Sequence, residues 1–316
     1  MSDGPWAGVD VAKATLALAV ADHRRTYPND EQGWAAIVRA VHPAGATVIL
    51  EATGAYELGL AAYLEAHGVP FAIVNPRRVR DFARASGLEA KTDRLDAPLL
   101  QRFGATFAPP RTVLPDADHE ALREWLARRT QLVEMRTMER QRVARTRLVD
   151  LRAHIQGHIT WLTAEIAGLD ADVHSRLRAH PRWQAALALL VSVPGIGWLT
   201  AGRLLARLPE LGTVPTPQLA ALVGLAPFAC DSGPHRGRRH IRGGRADVRA
   251  ALYMAALSAT RRRGPTNVLR TYHHALRARG KAPKVALVAT MRKLLTIVNA
   301  ILHQQTAWRA LSANTT

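Results

Sequence analysis

The chain has 316 residues, of which 43 are lysine or arginine and 25 are aspartate or glutamate, so its formal net charge is +18. Such an excess makes a polyanion the expected partner, either a nucleic acid or an acidic membrane surface. We expect no membrane partner, because no apolar run looks long enough to cross a bilayer and residues 1–6 do not resemble a signal peptide. Cys230 is the only cysteine, which excludes a disulfide framework and a cysteine-rich zinc site.

Apolar strands alternate with helices in the first part of the chain, which we predict to be a domain of residues 1–108. The expected strands lie at 6–11, 15–20, 24–27, 47–51 and 69–74, and the expected helices at 31–41, up to His67 and from Arg77. The first strand carries Asp10 near its end, and the fourth ends in Glu51. Open α/β sheets place their sites at the carboxyl ends of strands, so these two carboxylates are candidate site residues.

A second pair of acids, Asp93 and Asp96, lies in the segment Lys91-Thr92-Asp93-Arg94-Leu95-Asp96. We predict a helix from Asp93 to Phe103 with Thr92 as its N-cap. Residues three apart share one helix face, so the two carboxylates would project side by side. Two neighbouring acids repel each other unless solvent, a base or a cation neutralises them.

Four carboxylates from three elements could hold two divalent cations about 3.5–4 Å apart, the arrangement used for in-line phosphoryl transfer. Hard oxygen ligands favour Mg²⁺ or Mn²⁺ over Zn²⁺. The alternative is that the strand-end acids cap helices or pair with Arg94. The candidate catalytic and metal-binding acids are Asp10, Glu51, Asp93 and Asp96.

A long helical stretch follows a proline-containing linker, and we predict a second domain at residues 116–182. Its polar side is rich in arginine, with Arg140 and Arg147 as candidate nucleic-acid contacts. Two interpretations remain open: a coiled-coil arm for oligomerisation or nucleic-acid binding, or an ordinary helical hairpin within one chain. An apolar stripe at helical spacing comprises Leu148, Leu151, Ile155, Ile159, Leu162, Ile166 and Leu169.

Residues 183–316 are predicted to form an all-helical third domain. Gly195 and Gly197 lie in a tight turn between two helical runs, which resembles the helix-hairpin-helix that contacts DNA independently of sequence. Backbone N–H groups at such a turn can hold a phosphate, although the same turn can be merely structural. Further helices are expected at 246–261, 266–278 and 284–302.

A glycine-rich, basic segment at 227–245 is predicted to be a loop or irregular hairpin that surrounds a phosphate. It contains Ser232, a candidate nucleophile, because neighbouring arginines could stabilise a charged transition state at phosphorus. The alternative is a nucleic-acid-binding loop without catalysis. The candidate nucleic-acid contacts here are Arg236, Arg238, Arg239, Arg242 and Arg245, and those of the first domain are Arg77, Arg78 and Arg80.

The motifs together, in this order and spacing, resemble the insertion-sequence one-ten transposases, a family that includes Piv-type DNA invertases and bridge-RNA-guided recombinases. The resemblance covers nearly the whole chain. The N-terminal motifs are Gly8-Val-Asp10-Val-Ala-Lys13, Leu50-Glu51-Ala-Thr-Gly54-Ala-Tyr56, Val74-Asn75-Pro76 and Lys91-Thr92-Asp93-Arg94-Leu95-Asp96-Ala97. The C-terminal motifs are Pro194-Gly195-Ile196-Gly197, Gly224-Leu225-Ala226-Pro227, Ser232-Gly233 and Arg249-Ala-Ala-Leu252-Tyr253-Met-Ala-Ala.

This resemblance implies a RuvC-like, RNase H-type mixed sheet whose acidic tetrad falls on the four acids named above, followed by helical domains with Ser232 as nucleophile. It implies a DNA recombinase that uses Mg²⁺ or Mn²⁺ and works as a dimer or tetramer, one subunit's acids serving another subunit's serine. It also implies a structured guide RNA as partner, and a cytoplasmic, nucleoid-associated protein of bacteria.

Other functions remain open at this point. A RuvC-like nuclease would use only the acids and water, and an invertase would recombine DNA without a guide RNA. A tyrosine recombinase would use His235-x-x-Arg238 with Tyr253 or Tyr272, which leaves the acids unexplained. A nucleic-acid binder without enzymatic activity would explain the charge alone.

Overall fold

The computed structural model describes residues 4–87, 96–114, 116–228, 237, 239–261 and 267–308. The chain divides into two compact units, Met1–Pro115 and Asp116–Thr316. The first combines a mixed sheet with helices and the second is almost entirely helical, so the predicted fold class is confirmed. The boundaries of the three domains, at 1–108, 116–182 and 183–316, stay a prediction.

A five-stranded sheet forms the centre of the first unit, in the order β3-β2-β1-β4-β5. The pairs β1–β2 and β2–β3 are antiparallel, whereas β1–β4 and β4–β5 are parallel. The predicted strands are confirmed, although the last one begins later than expected because Pro70 has no N–H to donate. The strands are β1 Trp6–Val11, β2 Thr15–Val20, β3 His23–Pro28, β4 Thr47–Glu51 and β5 Phe71–Val74.

Helices cover both faces of this sheet. The first two, α1 (Glu31–Val41) and α2 (Leu58–Ala66), bury their apolar residues in one core cluster with the odd-numbered residues of β1. The next two, α3 (Pro76–Ala85) and α4 (Asp96–Phe107), form a second cluster on the opposite face. We predicted that the helix of α4 begins at Asp93, and that residue lies outside the described part of the chain.

A glycine sets the distance between α4 and the sheet. A Cβ atom added to Gly8 of β1 would lie 2.0 Å from the backbone oxygen of Ala97 and 2.6 Å from the backbone nitrogen of Gln101. Only a residue without a side chain allows this approach of helix and strand. Gly8 therefore brings the first turn of α4 against the middle of β1.

Two long helices open the second unit, α5 (Ala117–Arg145) and α6 (Val149–Ala179). They pack as an antiparallel hairpin within one chain, with an ion pair between Arg129 and Asp170. The second half of the predicted apolar stripe is buried, whereas Leu148 and Leu151 are exposed at the tip of the hairpin. The intramolecular hairpin is therefore formed, and an additional role in oligomerisation stays a prediction.

The rest of the second unit packs around one large core. Contrary to our expectation, its last helix is long and apolar enough to cross a membrane, although 56% of its most apolar stretch is buried within the protein. It has the burial of a core helix. The remaining elements are α7 Pro181–Val191, α8 Trp198–Arg207, α9 Thr216–Val223, β6 Pro227–Phe228, β7 His240–Ile241, α10 Ala246–Arg261, α11 Val268–Ala278 and α12 Pro283–Gln304.

Candidate active site and nucleic-acid interface

Asp10 and Glu51 lie side by side at the carboxyl ends of two parallel strands. The register pairs Val9 of β1 with Leu50 of β4, so each acid is the next residue on its strand. Successive side chains of a strand point to opposite faces, so Asp10 shares the face of Gly8, against which α4 packs. Glu51 shares the face of Ile49, which packs in the core cluster of α4. Both acids therefore lie on the α4 side of the sheet.

Asp96 is the first residue of α4, and its neighbour Ala97 contacts the sheet at Gly8. The structure thus brings the elements that carry Asp10, Glu51 and Asp96 together at one edge, and all three residues are half-buried. The fourth predicted acid, Asp93, lies outside the described residues. Within residues 4–87 and 96–114, and in the rest of the described chain, no three acidic, histidine or cysteine side chains form a group that could hold a metal ion.

The carboxylate oxygens of Asp10, Glu51 and Asp96 fit a divalent cation in their chemistry. Carboxylates from β1, β4 and α4 are hard ligands, which Mg²⁺ and Mn²⁺ prefer. The three described acids do not make a complete ligand group by themselves. The predicted site of four carboxylates therefore stays a prediction.

Two polar side chains next to this edge escaped the sequence reasoning. Asn29 donates to the backbone oxygen of Ala12 at 3.0 Å and to that of Tyr56 at 3.3 Å, and so links the loops that follow β1 and β4. Glu57 is buried and accepts a hydrogen bond of 3.1 Å from the backbone N–H of Thr53. The contacts of Asn29 depend on how separate loops meet, so a single sequence gives no signal for them, whereas the contact of Glu57 is local to one loop.

The arginines predicted on α3 are exposed. Arg77 lies 3.9 Å from Asp81, and the guanidinium of Arg78 lies 5.6 Å from the ring centre of Phe103. The Nε atom of Arg80 donates to the backbone oxygen of Pro76 at 3.4 Å. These weak surface contacts leave the guanidinium groups accessible to a phosphate.

Four predicted nucleic-acid contacts of the second unit lie outside the 227–245 segment. Arg140 on α5 and Arg147 in the α5–α6 connection are exposed. Gly195 packs closely on α10, because an added Cβ atom would lie 2.5 Å from the backbone oxygen of Ala255. Gly197 is exposed at the N-cap of α8 with open space around it. Close packing on α10 explains why residue 195 is a glycine. The exposed backbone of Gly197 is the one that a phosphate can reach.

A short antiparallel pair joins the ends of the segment that contains the candidate nucleophile. In this pair Pro227 of β6 faces Ile241 of β7, and Phe228 faces His240. Arg239 and Arg242 are exposed beside it, with the guanidinium of Arg242 4.7 Å from the ring centre of Phe228. The predicted site residues Ser232, Arg236 and Arg238, together with His235, lie outside the described residues.

Two further arginines hold the base of this hairpin. Arg245 donates to both carboxylate oxygens of Glu210, at 2.6 Å each, and to the backbone oxygen of Arg207 at 3.0 Å. Arg249 donates to the backbone oxygens of Val223 and Gly243, at 3.0 and 2.7 Å. Arg245 was predicted to contact nucleic acid, and its guanidinium is engaged in the protein.

The electrostatics of the Glu210–Arg245 pair favour the charged carboxylate. Burial raises the pKa of Glu210, but hydrogen bonds from Arg245 and a backbone N–H lower it by more, so the pKa lies below its ordinary value. Glu210 is thus ionised at neutral pH and accepts both hydrogen bonds. The pair fixes the start of α10, where the chain leaves the hairpin.

Comparison with known proteins connects both regions to one family. A family model described as "Transposase" matches residues 7–148, and a second, described as "Transposase IS116/IS110/IS902 family", matches residues 187–274. The "Pilin gene-inverting protein" of Moraxella lacunata and that of Moraxella bovis are each 30% identical to this chain, covering 95% of it and 96% of the relative. The "Insertion element IS110 uncharacterized 43.6 kDa protein" of Streptomyces coelicolor is 33% identical over 45% of this chain and 34% of its own length.

The fold and these matches define an enzyme of the DNA transposase or recombinase class. More narrowly, the chain belongs to the IS116/IS110/IS902 family of transposases. The family resemblance seen in the sequence motifs is thereby confirmed.

Proposed function

We propose that this transposase cuts and rejoins DNA at specific sites through a phosphoserine ester formed by Ser232, aided by a divalent cation held by acids of the first unit. The observation that carries the proposal is the convergence of the acid-bearing ends of β1, β4 and α4 on one edge of the sheet. A second support is that the four acids lie within the first matched family region and Ser232 within the second. The proposed metal ligands are Asp10, Glu51, Asp93 and Asp96.

In the proposed reaction the hydroxyl oxygen of Ser232 attacks phosphorus, and a DNA hydroxyl leaves. A second DNA hydroxyl then attacks the phosphoserine ester and releases the serine, so the phosphodiester is regenerated without an external energy source. Arginines of the hairpin, among them Arg239 and Arg242, offset the charge on the phosphoryl oxygens. A Mg²⁺ or Mn²⁺ ion bound by the carboxylates would supply further Lewis-acid stabilisation of that charge.

We further propose that a structured RNA guides the protein and that it acts as a dimer or tetramer. The exposed arginines predicted to contact nucleic acid lie in three separate places, on α3, on the α5–α6 hairpin and at the β6–β7 pair. Arginine pairs with phosphate and also stacks on bases, which suits it to RNA as well as DNA. In the oligomer, the acids of one subunit would serve the serine of another.

Trapping the covalent intermediate tests the proposal. On a DNA substrate that releases a short fragment after cleavage, the wild-type protein should accumulate a protein–DNA adduct attached at Ser232. Ser232→Ala should bind DNA and form no adduct, while Tyr253→Phe and Tyr272→Phe should form it normally. An adduct that persists in Ser232→Ala would refute the serine nucleophile.

A second candidate function is DNA inversion without a guide RNA. The two Moraxella relatives, whose names describe inversion of a pilin gene, cover almost the whole chain. RNA that co-purifies with the protein should be sequenced, and recombination should be measured before and after nuclease treatment. Full site-specific activity of RNA-free protein would favour the inversion function over guided recombination.

A further inference from the structure

An open depression of about 340 Å³ lies on the sheet of the first unit, close to the acidic edge. Its floor includes Ala17 of β2, and one wall is the start of α4 at Ala97 and Pro98. The opposite wall is β3, which contributes Arg24, Arg25 and Thr26, and Leu18 of β2 also lines the depression. None of the described residues that line the depression is acidic, and the guanidinium of Arg24 and the hydroxyl of Thr26 can donate hydrogen bonds.

The strand register connects this depression with the acids. Asp10 of β1 faces Ala17 of β2, and Ala17 faces Thr26 of β3. Directly paired residues of neighbouring strands point to the same face, so Asp10 and Thr26 share the α4 face of the sheet. In the adjacent row, Gly8 faces Ala19, and Ala19 faces Arg24. Arg24 therefore lies on the same face as the candidate acids.

Small side chains keep the space between the acids and β3 open. In the rows of Asp10 and Gly8, the β2 residues on this face are Ala17 and Ala19, both with a small side chain. Arg25 also borders the depression, but its side chain points to the other face of the sheet, where its guanidinium lies 5.6 Å from the ring centre of Tyr27. The guanidinium of Arg24 is exposed and has no ion-pair or hydrogen-bond partner among the described side chains.

We propose that this depression binds a phosphate of the nucleic-acid strand next to the phosphodiester that is cut, with Arg24 as its main contact and Thr26 as a second donor. An exposed arginine beside a hydroxyl, with no acid among the described lining residues, matches a phosphate. Strand spacing places β3 about 10 Å from β1, so Arg24 contacts a flanking phosphate and not the phosphate at the acids. A single nucleic-acid strand that crosses the sheet places one phosphate at the acids and a flanking phosphate at Arg24. In this respect the inference rests on the proposed function.

Binding measurements that do not depend on cleavage test the subsite. The affinity of the full-length protein for a labelled DNA oligonucleotide is measured over a series of salt concentrations in the presence of a chelator. Arg24→Ala should weaken binding by about 10-fold and reduce the salt dependence by about one phosphate contact, whereas Arg24→Lys should retain that contact. Arg39→Ala is the matched control, because Arg39 is exposed on α1, on the opposite face of the sheet.

Neutral phosphates locate the contact. Single methylphosphonate groups are placed along the strand on either side of the cleavage position, and their effect on binding is compared between variants. At one flanking position the substitution should weaken binding by wild type and by Arg39→Ala, and should have no further effect on Arg24→Ala. Such loss of sensitivity at one phosphate does not follow from a purely structural role of Arg24.

The two proposals fail in different ways. If Arg24→Ala behaves like Arg39→Ala in both measurements, the subsite is refuted, whatever the outcome at Ser232. If the wild-type protein forms no serine adduct but the effects of Arg24 persist, the serine mechanism is refuted and the phosphate subsite stands.

Discussion

The two units of this transposase position their charged groups by different means. In the first unit, strand register alone places Asp10 beside Glu51, and a close helix–strand contact at Gly8 adds the start of α4. In the second unit, the described residues that flank the serine segment form a two-residue strand pairing. Its base is held by arginine contacts to a carboxylate and to backbone oxygens.

The charged side chains of the two regions therefore have different roles. Asp10 and Glu51 lie at strand ends, where the backbone fixes their position. At the hairpin, some arginines donate hydrogen bonds to other groups of the protein, while others are exposed. Arg245 and Arg249 belong to the first kind and Arg242 to the second. The following predictions test this division.

The largest effect is expected from the acidic edge. Asp96→Asn should reduce DNA cleavage on the order of 10³-fold or more, because loss of a metal ligand removes several kcal/mol of transition-state stabilisation. DNA binding should be retained, since the surface becomes no less basic. Cleavage and binding assays in Mg²⁺ check this, with Asp22→Asn as the control for loss of an exposed acid in the same unit. A chelator should abolish wild-type cleavage, and normal cleavage by Asp96→Asn would contradict the assignment.

Two glycine substitutions should change the stability of the two units in opposite directions. Gly8→Ala should destabilise the first unit by about 3 kcal/mol, because its Cβ atom would overlap the backbone of α4. Gly157→Ala lies inside α6 with open space around it and should stabilise the second unit by up to about 1 kcal/mol. Thermal and urea unfolding of both variants provide the measurement. A neutral Gly8→Ala would show that α4 is not held against β1.

Two arginines next to the hairpin should separate stability from binding. Arg249→Ala should cost about 2 kcal/mol of stability, because two backbone oxygens lose their donor. Arg242→Ala should change stability by less than about 0.5 kcal/mol and weaken DNA binding instead. Unfolding and DNA-affinity measurements on the same samples test both. If Arg242→Ala were the more destabilising variant, the division of roles would be wrong.

The smallest effect concerns pH. The folded-state pKa of Glu210 lies below its ordinary value of 4.5, so its contribution is present above that pH and is lost as pH falls through the folded-state pKa. Glu210→Gln should therefore cost about 1 kcal/mol at neutral pH and progressively less in acid. Unfolding curves of both proteins from neutral to acidic pH check this. A stability difference that stays constant with pH would argue against a charged pair.

Much of the first unit was predictable, because each strand is a short apolar run bounded by polar turns. For the same reason the sequence showed that Asp10 and Glu51 lie where strands end. Their placement in one site was expected because open α/β sheets place their sites at the carboxyl ends of strands. The two long helices were predicted within one helical stretch, and the position of their break at residues 146–148 was not predicted because no glycine or proline marks it. Asp93, where the helix of α4 was predicted to begin, and the segment around Ser232 lie outside the described residues, so those predictions stand as they were made.

Local patterns in the sequence by themselves determined the elements, the order of α/β and helical units, the acids at strand ends and the family. Only the tertiary structure decided which charged side chains are engaged within the protein, because that depends on groups distant in the chain. Arg245 donates hydrogen bonds to Glu210, which lies 35 residues away in the chain. Arg24 lies on the same face of the sheet as Asp10 because of the register of the β1–β2 and β2–β3 pairs. Nothing in the local sequence distinguishes Arg24 from Arg25, and the register assigns them to opposite faces of the sheet.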